Sequence, residues 1–362
     1  MTDTVKYRIF NIVIQPTTFC NLNCSYCYLP EREKKTKMSS VITQKISDDI
    51  LKERRNVNLL WHAGEPMASG LLHFEQLFFP FKDNEFVTHI IQTNATIIDQ
   101  EWCDFFKKNN FHVGISIDGP EWANANRVDR KGKETFNKTL NGISKLKDNH
   151  IEFVVIAVVD QFTIDKAKEL YEFFSGLGCD WVGFNIEEKE SVNKREICDD
   201  ERVLKFWKDL FDAWYQNPII EIREISSTLS WFNEINNDQQ FTLANYNIDL
   251  FPSIACNGDI VVLSPELLGG QSENYDNFII GNVCTNSIFD IEKVAENIHY
   301  VKEFSKGVLM CRQECEYFSF CRGGQASNKF YETGALAVTE TSYCRNSKKR
   351  AVDTIIQQLN FN

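Results

Sequence analysis

The chain is short of basic charge. Its 39 Lys and Arg face 51 Asp and Glu, a formal net charge of −12, with a pI near 5.1. Nonspecific nucleic-acid binding needs a basic footprint, so that class is excluded. An acidic surface serves solubility and would suit a basic partner. No apolar run approaches the roughly 20 residues of a membrane-spanning helix. Met1–Thr2–Asp3–Thr4 carries no basic segment followed by an apolar one, so no signal peptide is expected. A cytoplasmic protein with no membrane partner is therefore expected. No internal repeat or low-complexity segment stands out, and 362 residues suffice for two domains or one large domain with additions.

Core-forming residues and thiols are abundant. Hydrophobic residues make up 43%, with 28 Phe, enough for a large core. Twelve Cys in a cytosolic chain point to metal binding or catalysis rather than disulfides. Cys20, Cys24 and Cys27 form CxxxCxxC on a loop after an apolar strand. Soft thiolates at this spacing favour zinc or an iron–sulfur cluster. Structural zinc takes four protein ligands. The local set stops at three, which leaves either a distant fourth ligand or an open coordination position.

Residues 1–185 alternate strand-like and helical runs. The expected strands are Phe10–Gln15, Asn58–His62, His89–Gln92, Phe111–Ser116, Glu152–Val158 and Trp181–Asn185. The expected helices are Ser39–Lys52, Leu71–Phe79, Asp99–Asn109, Phe136–Lys147 and Ile164–Ser175. Repeated strand–helix units predict a parallel sheet with helices outside. Six units fall short of a closed eight-unit barrel, so an α/β fold with an open, partial barrel is expected, with chemistry at the C-terminal strand ends. Residues 186–250 read as a helical bridging region. Within it Glu187–Glu190 reads as a solvated charged loop, and Arg202–Gln216 as a helix with its aromatic stripe in the core. Residues 251–362, rich in Cys and Gly, form a third region closed by a helix over Lys348–Leu359.

Polar residues gather at the expected strand ends. His62–Ala63–Gly64–Glu65–Pro66 combines small residues that allow close backbone approach with a carboxylate able to hold an ammonium. An ordinary glycine turn with an exposed Glu is the plainer reading of that pentapeptide. Thr93–Asn94 ends the third strand, and Ser116–Ile117–Asp118–Gly119–Pro120 ends the fourth, with Arg127 on the loop beyond. Alternation sends Ser116 and Asp118 to one side. Singly, each is a turn or cap residue. Together, at one end of one sheet, they suit a ligand with an ammonium, a carboxylate and a ribose.

CxxxCxxC with the aromatic Tyr26 before its last thiol resembles the signature of radical S-adenosylmethionine (SAM) enzymes. His62–Pro66 is similar to their Gly-Gly-Glu-Pro motif, with Ala63 for the first glycine. The resemblance covers about Phe10 to Asn185 and implies a partial (β/α)6 radical SAM barrel. It implies that Cys20, Cys24 and Cys27 bind a 4Fe–4S cluster whose open iron is chelated by the amino and carboxylate groups of SAM. Glu65 would take the SAM ammonium. Asn94, Ser116, Asp118 and Arg127 would contact SAM, and the Tyr26 backbone would lie near its adenine. The resemblance further implies a 5′-deoxyadenosyl radical that takes hydrogen from an unactivated C–H bond, and an electron donor such as flavodoxin or ferredoxin.

Cys311, Cys315, Cys321 and the later Cys344 can close a second site, and zinc fits them on spacing alone. Beside the barrel signature, the run resembles a SPASM-type domain, which carries auxiliary 4Fe–4S clusters. Its first gap is one residue longer than usual, and Gln325 stands where a Cys is expected. The outer auxiliary set is complete in these four thiols. The inner one would be left with Cys256 and Cys284 alone. One auxiliary 4Fe–4S cluster, fully ligated by protein, is therefore implied, suited to electron transfer or structure. Cys256 could also be a packed thiol. Cys103, Cys179 and Cys198 read as small buried hydrophobes.

Trp61–Pro66, Val113–Pro120 and Ser264–Pro265–Glu266–Leu267–Leu268–Gly269 together resemble the cyclophane-forming radical SAM/SPASM maturases. Those enzymes join an aromatic ring carbon to a nearby side-chain β-carbon in a ribosomally synthesised precursor peptide. The resemblance implies such a peptide as partner, a base for the ring proton, and departure of an electron. Asp249 and Asp259 are base candidates, with exposed loop carboxylates as the plainer reading. The first strand starts within about ten residues of Met1, so leader recognition is expected to use the enzyme body, another protein or a sheet edge. A formylglycine-generating sulfatase maturase and a thioether-forming peptide maturase are the enzymatic alternatives. A zinc-stabilised binding module is the alternative without redox chemistry.

Overall fold

The computed structural model describes residues 5–198, 200–236 and 247–361. Met1–Thr4 and residues 237–246 of the expected bridging region lie outside them. After a short β1 (Lys6–Arg8), six strands lie parallel and in chain order. They are β2 (Asn11–Ile14), β3 (Val57–Trp61), β4 (Val87–Thr93), β5 (His112–Ser116), β6 (Phe153–Val159) and β7 (Trp181–Ile186). Between them run α1 (Ser40–Glu53), α2 (Leu71–Phe78), α3 (Gln100–Lys108), α4 (Phe136–Asp148) and α5 (Ala167–Leu177). Consecutive parallel strands joined by same-handed crossovers curl into part of a barrel. The expected mostly parallel α/β fold is present, and its elements fall within a few residues of their expected bounds.

Side-chain pattern explains the elements. In β6, Phe153, Val155, Ala157 and Val159 are buried while their neighbours are half-buried. The helix α3 starts at Asp99, whose carboxylate accepts from Trp102 N at 3.0 Å. Its Trp102, Phe105 and Phe106 then enter the core. The aromatic stripe of α6 (Asp200–Gln216) is inward, as expected: Phe206, Trp207 and Phe211 are buried. Trp207 Nε1 also donates to Asn346 O at 2.8 Å, tying α6 to the C-terminal region.

The sheet extends past the expected barrel. The strand β8 (Glu221–Ile222) pairs in parallel with β7 and leads into α7 (Arg223–Asn236). On the other side, β9 (Asn247–Asp249) pairs with β1, and β10 (Ser253–Ile254) pairs in parallel with β2. β11 (Asp259–Val261) and β12 (Gly281–Asn282) continue antiparallel, giving a ten-stranded sheet. Hydrogen bonding therefore runs across residues 185 and 250, and the cavity of the barrel is walled by residues from both halves. Among the described residues no helix is long and apolar enough to cross a membrane.

Glu187–Glu190 corrects an expectation. It is not a solvated loop, and Glu187 is only 4% exposed. The helix Ala326–Thr333 lies against the segment: Ser327 Oγ and Asn328 Nδ2 donate to Glu190 Oε1 at 2.8 and 2.9 Å. Asn328 Nδ2 also donates to Glu188 Oε2.

Candidate active site

The C-terminal strand ends open onto a cavity of about 250 Å³. Cys20, Cys24, Cys27 and Tyr26 line it, together with Glu65, Asn94, Ser116 and Arg127. The thiol loop is held by two arginines that the motif does not contain. Arg32 donates to Cys24 O and Cys27 O at 3.0 and 3.1 Å. Arg130 Nε donates to Cys20 O at 2.9 Å. Gly64 closes the other side: a Cβ there would stand 2.6 Å from Thr17 O. Its φ of +85° also suits glycine, whereas Ala63 accepts a φ of +65° at a cost.

Glu65 is 1% exposed, which rules out the exposed-turn reading. Its carboxylate accepts from Thr93 Oγ1 at 2.7 Å, Asn94 N at 2.8 Å and Met67 N at 3.2 Å. Burial raises it above the usual carboxylate range, and these donors oppose the rise. Asn94 Nδ2 reaches Asn21 Oδ1 in the thiol loop at 2.9 Å. Ser116 Oγ accepts from Gln92 Nε2 at 2.8 Å, and Gln92 lines the cavity too. Sequence reasoning missed Gln92, although it precedes Thr93–Asn94 on the same strand.

Asp118 stands differently from its companions. It is not among the cavity-lining residues. Its Oδ2 accepts from Tyr26 OH at 2.5 Å and its Oδ1 from Val158 N at 3.0 Å. Arg127 Nη1 donates to Tyr26 OH at 2.6 Å and lies 3.7 Å from Asp118 Oδ1. Asp118 thus fixes Tyr26 and Arg127, and Arg127 faces the cavity. The guanidinium favours the thiolate of Cys24, against a larger upward push from burial. Burial pushes Cys20 up to about 12, so metal binding there must release a proton.

Further lining comes from residues to which the sequence analysis gave no role in the site. Tyr28, His62, Glu187, Glu188, Glu190 and Glu266 all line the cavity. His62 is pushed down to about 4 by burial, so it is neutral, and its Nδ1 has no partner. Asp249 and Asp259, the base candidates, lie elsewhere. Asp249 accepts from Asn11 Nδ2 at 2.6 Å and from Phe251 N at 3.0 Å. Asp259 accepts from Asn257 Nδ2 at 2.7 Å and from Asn282 Nδ2 at 3.0 Å. Asp249 ends β9 and Asp259 starts β11, where they hold a backbone N–H and neighbouring side-chain amides.

Cys311, Cys315, Cys321 and Cys344 surround a second, small cavity with Gln325 and Lys329. A hydrogen bond from the Cys344 thiol holds Cys321 down to about 6, opposing burial and aided by Lys348. Lys329 is 2% exposed, with Nζ 3.9 Å from Cys311 Sγ. Cys256 stands apart: its Sγ donates to Gln15 O at 3.2 Å, and burial pushes it up to about 12. Cys284 is exposed, and Cys103, Cys179 and Cys198 are buried. Among the described residues no three His, Cys, Asp or Glu side chains are grouped to hold one metal ion. Three thiols on an open cavity and four on a closed one fit iron–sulfur clusters in ligand type and number.

Such a lining would suit an enzyme that holds a redox cluster beside a ligand with ammonium and carboxylate groups. The chain belongs to the radical SAM superfamily, whose profile matches residues 14–208, more than half of its length. It is 34% identical over 366 residues to an uncharacterized protein of Synechocystis sp., covering 96% of this chain and 91% of that protein. A serine-type anaerobic sulfatase-maturating enzyme of Bacteroides thetaiotaomicron is 26% identical over 362 residues, 89% of this chain and 84% of the enzyme. Among solved structures, anSMEcpe with bound AdoMet matches with a TM-score of 0.78 at 24% identity, covering 98% of this chain and 99% of its own. SuiB of Streptococcus suis bound to precursor peptide SuiA matches with a TM-score of 0.69 at 17% identity, covering 94% and 77%. Both structures show the shared fold. Family membership carries with it a SAM-binding 4Fe–4S cluster and SAM, and the zinc-module alternative falls away.

Proposed function

We propose that the chain is a maturase that installs a carbon–carbon crosslink of the cyclophane type in a ribosomally synthesised precursor peptide. In this reading Cys20, Cys24 and Cys27 hold the SAM-binding cluster. Glu65 takes the SAM ammonium, Arg127 its carboxylate, and Asn94 and Ser116 its remaining polar edge. Tyr26 and Asp118 position Arg127. When bound, the cluster and SAM supply a 5′-deoxyadenosyl radical that takes a hydrogen atom from an unactivated C–H bond. The second hydrogen lost in crosslinking leaves the ring as a proton, and the remaining electron of the ring radical passes to the auxiliary 4Fe–4S cluster held by the C-terminal thiols. The proton acceptor lies among Glu187, Glu188, Glu190 and Glu266 rather than at Asp249 or Asp259. Cys311, Cys315, Cys321 and Cys344 hold one auxiliary 4Fe–4S cluster and leave no open position on it for substrate. The partners are the precursor peptide and a reductant such as flavodoxin or ferredoxin.

The thiol inventory is the observation that carries this reading. Gln325 occupies the place of a ligand, and Cys256 is spent on a backbone carbonyl, so a second auxiliary cluster lacks ligands. A second reading, formylglycine formation, is favoured by the sulfatase-maturating relatives, which align over most of their length. Serine oxidation and crosslinking both remove two hydrogens, so mass alone does not separate them. Co-expression with a candidate precursor peptide, followed by tandem mass spectrometry and hydrazide labelling, does. The crosslink predicts loss of two hydrogens, no hydrazide adduct, and no fragmentation between the linked residues. A hydrazide-reactive aldehyde on the product refutes it in favour of the second reading.

A further inference from the structure

The wall of the cavity beside the thiol loop is unusually acidic for a buried surface. Glu187, Glu188, Glu190 and Glu266 all line the one cavity. The donors that reach three of them are neutral: Asn328 for Glu188 and Glu190, Ser327 for Glu190, and Ser264 for Glu266. Burial, then like-charge repulsion from Glu266, pushes Glu190 up to about 8, with Ser327 opposing the rise. Burial, then Glu190 and Glu266, likewise raise Glu188, with Lys348 as the opposing cation. Packing this many carboxylates together out of water is costly unless a cation joins them.

Glu187 adds an independent sign of what is missing. Its Oε1 is fixed by Arg195 Nε at 3.0 Å and Asn193 Nδ2 at 3.2 Å. Its Oε2 is buried and has no hydrogen-bond partner. A side chain clamped at one oxygen and unpartnered at the other is a preorganised acceptor. A metal ion is a poor match for this wall, since among the described residues no such group is arranged to hold one.

We propose that this wall is a subsite for a cationic side chain, Lys or Arg, of the substrate peptide, with Glu187 Oε2 as the fixed acceptor and Glu188, Glu190 and Glu266 as the compensating field. The inference rests on the reading of the chain as a peptide maturase. It places the basic residue beside the one that reacts, because both wall and thiol loop line the same cavity. Charge complementarity at this depth selects the residue next to the reaction site rather than a distant leader segment.

The test is a binding measurement on anaerobically reconstituted holoenzyme with SAM, with no turnover needed. The probes are acetyl-Gly-Arg-Gly-amide and its citrulline counterpart, which has nearly the same shape and no charge. A charge-assisted hydrogen bond contributes about 1.5–3 kcal/mol, so the arginine probe is expected to bind at least about tenfold tighter. A Glu187→Gln variant is expected to reduce that ratio several-fold, and a Glu190→Gln, Glu266→Gln pair to bring it close to one. Equal binding of the two probes by the wild-type holoenzyme, or no binding of either at millimolar concentration, overturns the proposal. The wild-type comparison stands even where a variant fails to fold. A null result here with normal peptide modification would sink the subsite alone. Absence of any peptide modification would sink the maturase reading instead.

Discussion

Tyr26→Phe removes one oxygen from the centre of the site. That hydroxyl donates to Asp118 Oδ2 at 2.5 Å and accepts from Arg127 Nη1 at 2.6 Å. Asp118 and Arg127 are 1% and 7% exposed, so water cannot readily replace it. Burial raises Tyr26 well above its usual range, so the hydroxyl stays protonated at working pH. A hydrogen bond to a charged group contributes about 1.5–3 kcal/mol. Two are lost, and Arg127 recovers part by closing the 3.7 Å gap to Asp118 Oδ1. The net destabilisation expected is about 2–3 kcal/mol, which corresponds to about 3–4 °C in Tm for a chain of this size. Once drawn onto Asp118, Arg127 also leaves its place in the cavity, and SAM affinity is expected to fall about tenfold, or ~1.4 kcal/mol. Calorimetry and SAM titration under anaerobic conditions check both numbers. An unchanged Tm with unchanged SAM affinity would refute the claim that this hydroxyl organises the pair.

The remaining predictions use other parts of the molecule. Cys256→Ala is expected to leave iron content unchanged, whereas Cys311→Ala, at the closed four-thiol site, is expected to cut it by about half from roughly eight per chain; elemental analysis reads both. Ala63→Gly relieves a left-handed residue and is expected to raise stability by about 0.5–1 kcal/mol in denaturant melts. Because the folded-state value of Glu190 is raised to about 8, its stabilising contribution is full below the unfolded value of 4.5 and is lost as pH rises through about 8. Glu190→Gln is therefore expected to gain on the wild type as pH rises across that window, by at least about 1 kcal/mol. A gap that narrows with rising pH in paired melts would contradict this sign.

Much of the barrel was legible because its elements are long and periodic. The six parallel strands and the helix α6 carry enough buried positions for pattern alone to locate them. The polar strand-end residues were legible because the topology brings all strand ends to one side. The sequence grouped Asp118 with the strand-end residues, but its place behind Tyr26 and Arg127 was not legible, since that depends on their rotamers. The carboxylates at 187–190 were misread because a charge run is solvated only if nothing covers it. Ser327 and Asn328, about 140 residues later in the chain, do so. The strands β8 to β12 have two or three residues each, too few to show a period, and their pairing with β7, β1 and β2 comes from tertiary packing. Arg32 and Arg130 were invisible because they act on backbone carbonyls, for which no motif selects.

Cys20, Cys24 and Cys27 are proposed to hold a cluster that cleaves SAM at the mouth of the barrel. The most direct test of that role is 5′-deoxyadenosine formation by the anaerobically reconstituted, dithionite-reduced protein, beside a variant with all three replaced by Ala. 5′-Deoxyadenosine is expected from the wild type and none above background from the variant, with its four C-terminal thiols still loaded with iron. Production at the wild-type rate by the triple variant, or none by a wild type carrying its full iron, would contradict it.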